Sequence, residues 1–261
     1  MFAGLPDKYY ERADERFFFH KNSSGHKMHQ LLSGDYDMFN GNGLDGVKGV
    51  LFDCYKTLID IKTDENSTKT YEPISRWLMY HGVKIAPDEL MREYKSRCKE
   101  ELERRWEKHT ELKVEEIFSK ICRQHASWAI NDLTIGIEAA RIFRSASLKR
   151  LQAFPQSLRM LQALNGYPLG IVSNGQRVFS ELELKHLGLH DYFKFIIFSS
   201  DFGYKKPDAR IFLAGAQYLG LRPEEILYVG DSYENDINPS RGLGMKSMHV
   251  NDAWKYFNSG R

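Results

Sequence analysis

Four groups of polar residues in this chain could do chemistry together: Asp53 with Thr57, Ser173-Asn174-Gly175, Lys206 before Pro207, and Asp231 with Asp236 in GDSYENDI. Asp53 offers a carboxylate oxygen that can accept a phosphoryl group, splitting one difficult displacement into two easier ones. Asp231 and Asp236 would bring two more carboxylates to it. Such a cluster repels itself unless a hard cation sits among its members, and oxygen ligands with open water positions suit Mg²⁺. Lys206 would offset the remaining negative charge, while the Ser173 hydroxyl and the backbone N–H groups near Asn174 and Gly175 would hold phosphoryl oxygens. Taken singly, each group has an ordinary explanation. An Asp after a strand makes an Asx turn, Ser-Asn-Gly is a common turn, and Lys-Pro commonly opens a helix.

The elements that would carry these residues argue for the joint reading. Val47, Val50, Leu51 and Phe52 read as a buried strand that ends at Asp53. From Phe154 onward strands and helices alternate: helix Pro155 to Asn165, strand Pro168 to Ser173, helix Val178 to Leu187, strand Phe195 to Ser199, helix Asp208 to Leu219. Strand Glu225 to Gly230, a short helix Asp236 to Leu243 and a last strand Met245 to Val250 complete the series. This pattern predicts an α/β fold, a Rossmann-like doubly wound parallel sheet covered on both faces. Ligands bind such sheets at the C-terminal strand ends, where all four groups fall.

Between these parts, residues 66–150 predict a helical bundle with no strand. Helices are expected over Ser67 to His81, Val114 to Ala126 and Thr134 to Leu151. A long amphipathic helix follows Pro87-Asp88, with Asp88 as its N-cap and Leu90, Tyr94, Cys98, Leu102 and Trp106 on one face. The expected organisation is therefore a core of residues 45–65 and 151–261, an inserted bundle of 66–150, and an N-terminal extension of 1–44. That extension reads as a short helix near Lys8 to Phe18 and a loop, or as an arm lying over the body or a second copy in a homodimer.

Composition narrows the partners. With 37 Lys and Arg against 35 acidic residues, the net charge of +2 gives no argument for nucleic acid or a membrane surface. The bundle carries 17 basic against 13 acidic residues, which a solvated helical surface explains as readily as an anionic ligand does. Cys54, Cys98 and Cys122 lack metal-ligand spacing and a disulfide framework, and no apolar run approaches a membrane helix. A cytoplasmic protein is the expectation.

As a set, FDCYKTLID, GIVSNG, YKKPDARIF and ILYVGDSYENDI, in that order from Val47 to about Val250, resemble the haloacid dehalogenase (HAD) superfamily of hydrolases. The helical insertion looks like that family's C1-type cap. The resemblance implies Asp53 as nucleophile, and Mg²⁺ held by Asp53, the backbone carbonyl of Tyr55, Asp231 and, through water, Asp236. It also implies that Thr57, Ser173 and Asn174 contact the phosphoryl group or shape its loop, with Lys206 as the motif lysine. A small phosphate ester would be the substrate, turned over through an aspartyl phosphate, with Arg76, Arg104 and Arg105 as candidate cap contacts. The chain departs from the pattern at Tyr55, where phosphatases of the family usually hold an acid–base Asp, and at Lys56, often Gly. A phenol donates a proton but is a poor base near neutrality. Tyr at this position is similar to the L-2-haloacid dehalogenases, yet GDSYENDI keeps both metal-site acids. A dehalogenase and a catalytically weak binding protein are thus the alternatives to a phosphatase.

Overall fold

The computed structural model describes residues 44–258, so the helix and arm expected before residue 44 lie outside it. Strand β1 (Gly49–Phe52) leads through Asp53 into β2 (Ile59–Thr63), followed by helices α1 (Thr68–Tyr80), α2 (Pro87–Glu103), α3 (Val114–Gln124) and α4 (Asp132–Ser147). Strand β3 (Leu148–Ala153) returns the chain to an alternating series. That series runs α5 (Pro155–Ala163), β4 (Leu169–Ser173), α6 (Arg177–His186), β5 (Phe195–Phe198), α7 (Ser199–Phe202) and α8 (Ala209–Leu219). It ends with β6 (Ile226–Gly230), α9 (Asn238–Gly242), β7 (Lys246–His249) and α10 (Val250–Asn258).

The sheet order is β5-β4-β1-β6-β7 with every pairing parallel. Strands β1, β4 and β6 are buried along their whole length, as their near-continuous apolar runs require of a sheet covered on both faces. Alternate residues feed two cores. Val50, Phe52, Ile171 and Val229 pack toward α5 and α10, while Leu51, Val172 and Tyr228 pack toward Ile211 and Phe212 of α8. The order reverses at β1, between β4 and β6, which puts Asp53 at the crevice where such sheets bind ligands.

The four helices before β3 surround a third core of their own, built on Tyr71, Ile74, Leu90, Phe118, Ile121 and Phe143. Helices α3 and α4 approach closely at Gly136, where a Cβ would lie 2.6 Å from the Glu115 carbonyl oxygen.

Several expected boundaries are corrected. The helix expected from Thr134 to Leu151 ends at Ser147, and Leu148–Ala153 is instead a strand antiparallel to β2, with Ile61 opposite Leu151. Leu148 and Leu151 continue a helical spacing, but cross-strand pairing prevails, helped by Arg150 and Gln152 donating to Asp60 at 2.7 and 3.0 Å. This two-stranded ribbon is the double connection between sheet and bundle. Helix α2 stops at Glu103, leaving Trp106 in solvent, and its N-cap is Ala86; Asp88 lies in the first turn and accepts from Arg92 at 2.8 Å. The expected helix at Asp236 starts earlier, as a π-turn over Tyr233–Ile237 capped by the Ser232 side chain. The connection between α2 and α3 lies on the sheet-bearing body, where Glu111 N–H donates to the Gly203 carbonyl at 2.9 Å and Lys205 N–H to His109 at 2.8 Å.

Candidate active site

Every group singled out from the sequence sits at or just beyond the C-terminal end of β1, β4 or β6, or on the loop before α8, and most of them touch. Lys206 is the hub. Its ammonium, buried, donates to Asp53 Oδ1 at 2.7 Å, to Asp236 Oδ1 at 2.5 Å and to the Tyr228 hydroxyl at 3.1 Å. Carboxylate oxygens of Asp53, Asp231 and Asp236 all lie within 4.8 Å of one another. Burial, opposed by the Lys206 charge and reinforced by Asp236, pushes the Asp53 carboxyl up to about 6. Burial and then Asp236 also raise Asp231. Burial works against the Lys206 charge, but Asp53, Tyr228 and Asp236 hold its pKa well above the usual value.

Local structure fixes these groups. At Gly230 an added Cβ would stand 2.5 Å from Asp236 Cβ, so only glycine lets the turn after β6 fold back this tightly. Asp236 Oδ2 accepts the Ser232 N–H at 3.0 Å. Thr57 donates to Asp53 Oδ2 at 3.3 Å. Lys56 takes a left-handed conformation, φ 62°, in the turn between them, which accounts for the glycine common at this position in the resembled pattern.

Ser173 and its neighbours divide their labour. The Ser173 Oγ is buried and has no hydrogen-bond partner among the described residues, so it is available to a ligand. The Asn174 amide clamps the Lys206 backbone, accepting from Lys206 N–H at 2.7 Å and donating to the Lys206 carbonyl at 3.1 Å. The Gly175 N–H is likewise used, donating to Ser199 Oγ at 3.1 Å. These bonds of Asn174 and Gly175 tie the loop after β4 to Lys206 and Ser199.

Tyr55 departs most from expectation. Its hydroxyl donates to Glu183 Oε2 at 2.6 Å and lies 2.6 Å from Ser180 Oγ. Arg144 of α4 clasps the same carboxylate through Nε at 2.6 Å and Nη2 at 3.3 Å. Burial above all, with Glu183 adding to it, raises the phenol well above its usual range. Such a group neither takes nor releases a proton readily.

These strand ends, their order and the lysine-bridged acids match the haloacid dehalogenase-like hydrolases over residues 50–250. The chain belongs to that family. Among HAD-family relatives it is 32% identical over 110 residues to a glyceraldehyde 3-phosphate phosphatase of Methanocaldococcus jannaschii, covering 41% of this chain and 48% of the relative. It is 36% identical over 105 residues to a phosphoglycolate phosphatase of Salmonella choleraesuis, covering 40% and 41%. The matched segment spans about half the length of these curated relatives. A solved HAD phosphatase from Thermococcus onnurineus is 28% identical with a TM-score of 0.50, covering 77% of this chain and 85% of that one. A 2-haloacid dehalogenase from Pseudomonas syringae shares the fold at 22% identity and a TM-score of 0.56, over 77% and 85%.

The donors fit a divalent cation. Three carboxylates converge, of which the buried Lys206 ammonium pairs with Asp53 and Asp236, and oxygen donors of this kind suit Mg²⁺. Beside the site a cavity of about 410 Å³ opens between sheet and bundle, lined by Tyr55, Asn174 and Gly175 below. Of the cations, it is Arg144 that reaches it, rather than Arg76, Arg104 or Arg105. Tyr228, Glu183, Arg144, Glu65 and Glu111 complete the surroundings without having been singled out from the sequence. Only Tyr228 left a signal there, a phenol inside the apolar run ILYVG. No helix of the described residues is long and apolar enough to cross a membrane.

Proposed function

We propose that this chain is a Mg²⁺-dependent phosphatase of a small organic phosphate, working through an aspartyl phosphate on Asp53. The observation that carries this reading is the Lys206 ammonium shared between Asp53 and Asp236 inside a cluster of three carboxylates. Displacement of halide from a 2-haloacid, the alternative, needs no such acid cluster.

Asp53, Asp231 and Asp236 would hold the ion, with the Tyr55 carbonyl as the further ligand that the family resemblance suggests. When bound it would neutralise charge on the phosphoryl oxygens. The chain's own groups do the rest. Thr57 orients the Asp53 carboxylate, Ser173 donates its unpartnered hydroxyl to a phosphoryl oxygen, and Lys206 balances charge as Asp53 attacks in line. The P–O bond to the alcohol breaks and the alkoxide takes a proton from water; a second water then hydrolyses the aspartyl phosphate, releasing phosphate and Asp53. Asn174 positions Lys206 through its backbone. Residues 66–150 act as a cap over the 45–65 and 151–261 core, closing the cavity from water.

Phosphate release from a panel of small esters tests the proposal. Release should require Mg²⁺, stop on chelation and be lost in Asp53→Asn. Halide release from 2-haloacids that ignores chelator would replace it with the dehalogenase reading.

A further inference from the structure

The cavity beside the Asp53 site carries both acidic and basic side chains. Its lining includes Glu65, Glu111 and Arg144, together with the rings of Tyr94, Phe143 and Phe179. Arg144 is the sole cation among the described residues lining it, and its charge is already matched. Nε and Nη2 hold Glu183 at 2.6 and 3.3 Å, Nη1 reaches Glu65 Oε1 at 3.4 Å, and the guanidinium lies 4.5 Å over the Phe179 ring. The Glu111 carboxylate accepts from Ser199 Oγ on Oε2 at 3.0 Å and from the Leu112 N–H on Oε1 at 3.0 Å, while Arg105 Nη1 donates to its backbone carbonyl at 2.6 Å from outside the cavity lining.

One guanidinium therefore faces three carboxylates, Glu183, Glu65 and Glu111. Both lining acids act on the same space. Burial above all, with Glu111 and Glu65 adding to it, pushes the Cys98 thiol behind Tyr94 up to about 11. A carboxylate on the leaving alcohol would meet like charge here, whereas an ammonium would meet two carboxylates and aromatic faces that attract cations. At about 410 Å³ the space suits a small alcohol.

Resting on the phosphatase reading, we infer that the leaving alcohol of the substrate carries a cationic amine, selected by Glu65 and Glu111, which also reject carboxylate-bearing esters. The site would then favour an amino-alcohol phosphate over the phosphorylated hydroxy acid that one of its relatives is named for.

Non-hydrolysable phosphonates test this independently of turnover. Calorimetric titration in Mg²⁺ with 2-aminoethylphosphonate, propylphosphonate and 3-phosphonopropionate compares a cationic, a neutral and an anionic tail of similar length. The expected order of affinity is amine, then neutral, then acid, with at least about tenfold between the extremes. In Glu65→Gln/Glu111→Gln that ratio should fall to within about threefold; Glu65→Gln alone, at a side chain 43% exposed, should lower it part-way without disturbing the fold. The inference is overturned if the acid binds as tightly as the amine, if the neutral tail equals the amine, if the ratio survives the double substitution, or if none of the three binds the wild-type protein. Hydrolysis of an aryl phosphate measures the phosphatase reading separately. A protein inactive on it that still ranks the phosphonates as expected would lose the catalysis and keep the charge selection.

Discussion

The Tyr55 hydroxyl spends its proton on Glu183, 2.6 Å away, and its phenol is raised by burial, so the residue that replaces the usual acid–base carboxylate is not a substitute for it. Formation of an aspartyl phosphate from a good leaving group needs little acid help, whereas its hydrolysis needs a base to activate water. Rapid mixing with p-nitrophenyl phosphate and Mg²⁺ should therefore show a burst of nitrophenol close to one per active site, followed by slower steady turnover. A linear trace would show that hydrolysis of the intermediate is not limiting. Tyr55→Phe separates structure from catalysis at the same residue. Steady turnover should stay within about threefold, but loss of a hydrogen bond to a charged acceptor should cost about 1.5–3 kcal/mol. Thermal unfolding should report this as a drop of about 2–4 °C for each kcal/mol.

At the scale of elements, the turn after β6 depends on a residue without a side chain. In Gly230→Ala the new methyl would collide with Asp236 Cβ, 2.5 Å away, and displace a carboxylate that both Lys206 and the Ser232 N–H hold. The Mg²⁺ concentration for half-maximal phosphate release should rise about 10- to 100-fold, with smaller change at saturating ion. That Gly-Asp turn was legible in the sequence because GDSYENDI follows an unbroken apolar run. Strands β1, β4 and β6 were legible for the same reason, being buried on both faces. Strands β2 and β3 were not: IDIKT and LKRLQA form a half-buried ribbon whose charged residues interrupt any apolar run, and Leu148 and Leu151 keep helical spacing. Asp53, Lys206, Asp231 and Asp236 could be placed together from their positions at or beyond successive strand ends. Glu183, Arg144, Glu65 and Glu111 gain their meaning only where the bundle meets the sheet, a contact that no local pattern encodes. Asn174 could be placed at the strand end, but its clamp on Lys206, which spans 32 residues, has no local signal.

At the scale of the molecule, the bundle is joined to the sheet by the β2–β3 ribbon and by a buried ion pair, Arg144 of α4 with Glu183 of α6, whose side chains are 11% and 8% exposed. Charges so withdrawn from water are costly unless paired, so truncating one partner strands the other. Arg144→Ala leaves Glu183 with only the Tyr55 hydroxyl and should destabilise the protein by about 3–5 kcal/mol, read as a lower urea midpoint. Glu183→Ala should cost a similar amount by stranding the guanidinium. The double substitution should cost clearly less than the two losses added, because neither charge is then left alone in the interface. Additive losses would mean that the pair contributes packing only and does not tie α4 to α6. The same cycle bears on function. If the pair holds the bundle closed over Asp53, each single variant should raise KM for a small phosphate ester more than it lowers kcat, since the cavity wall loosens while the Lys206–Asp53–Asp236 cluster stays intact.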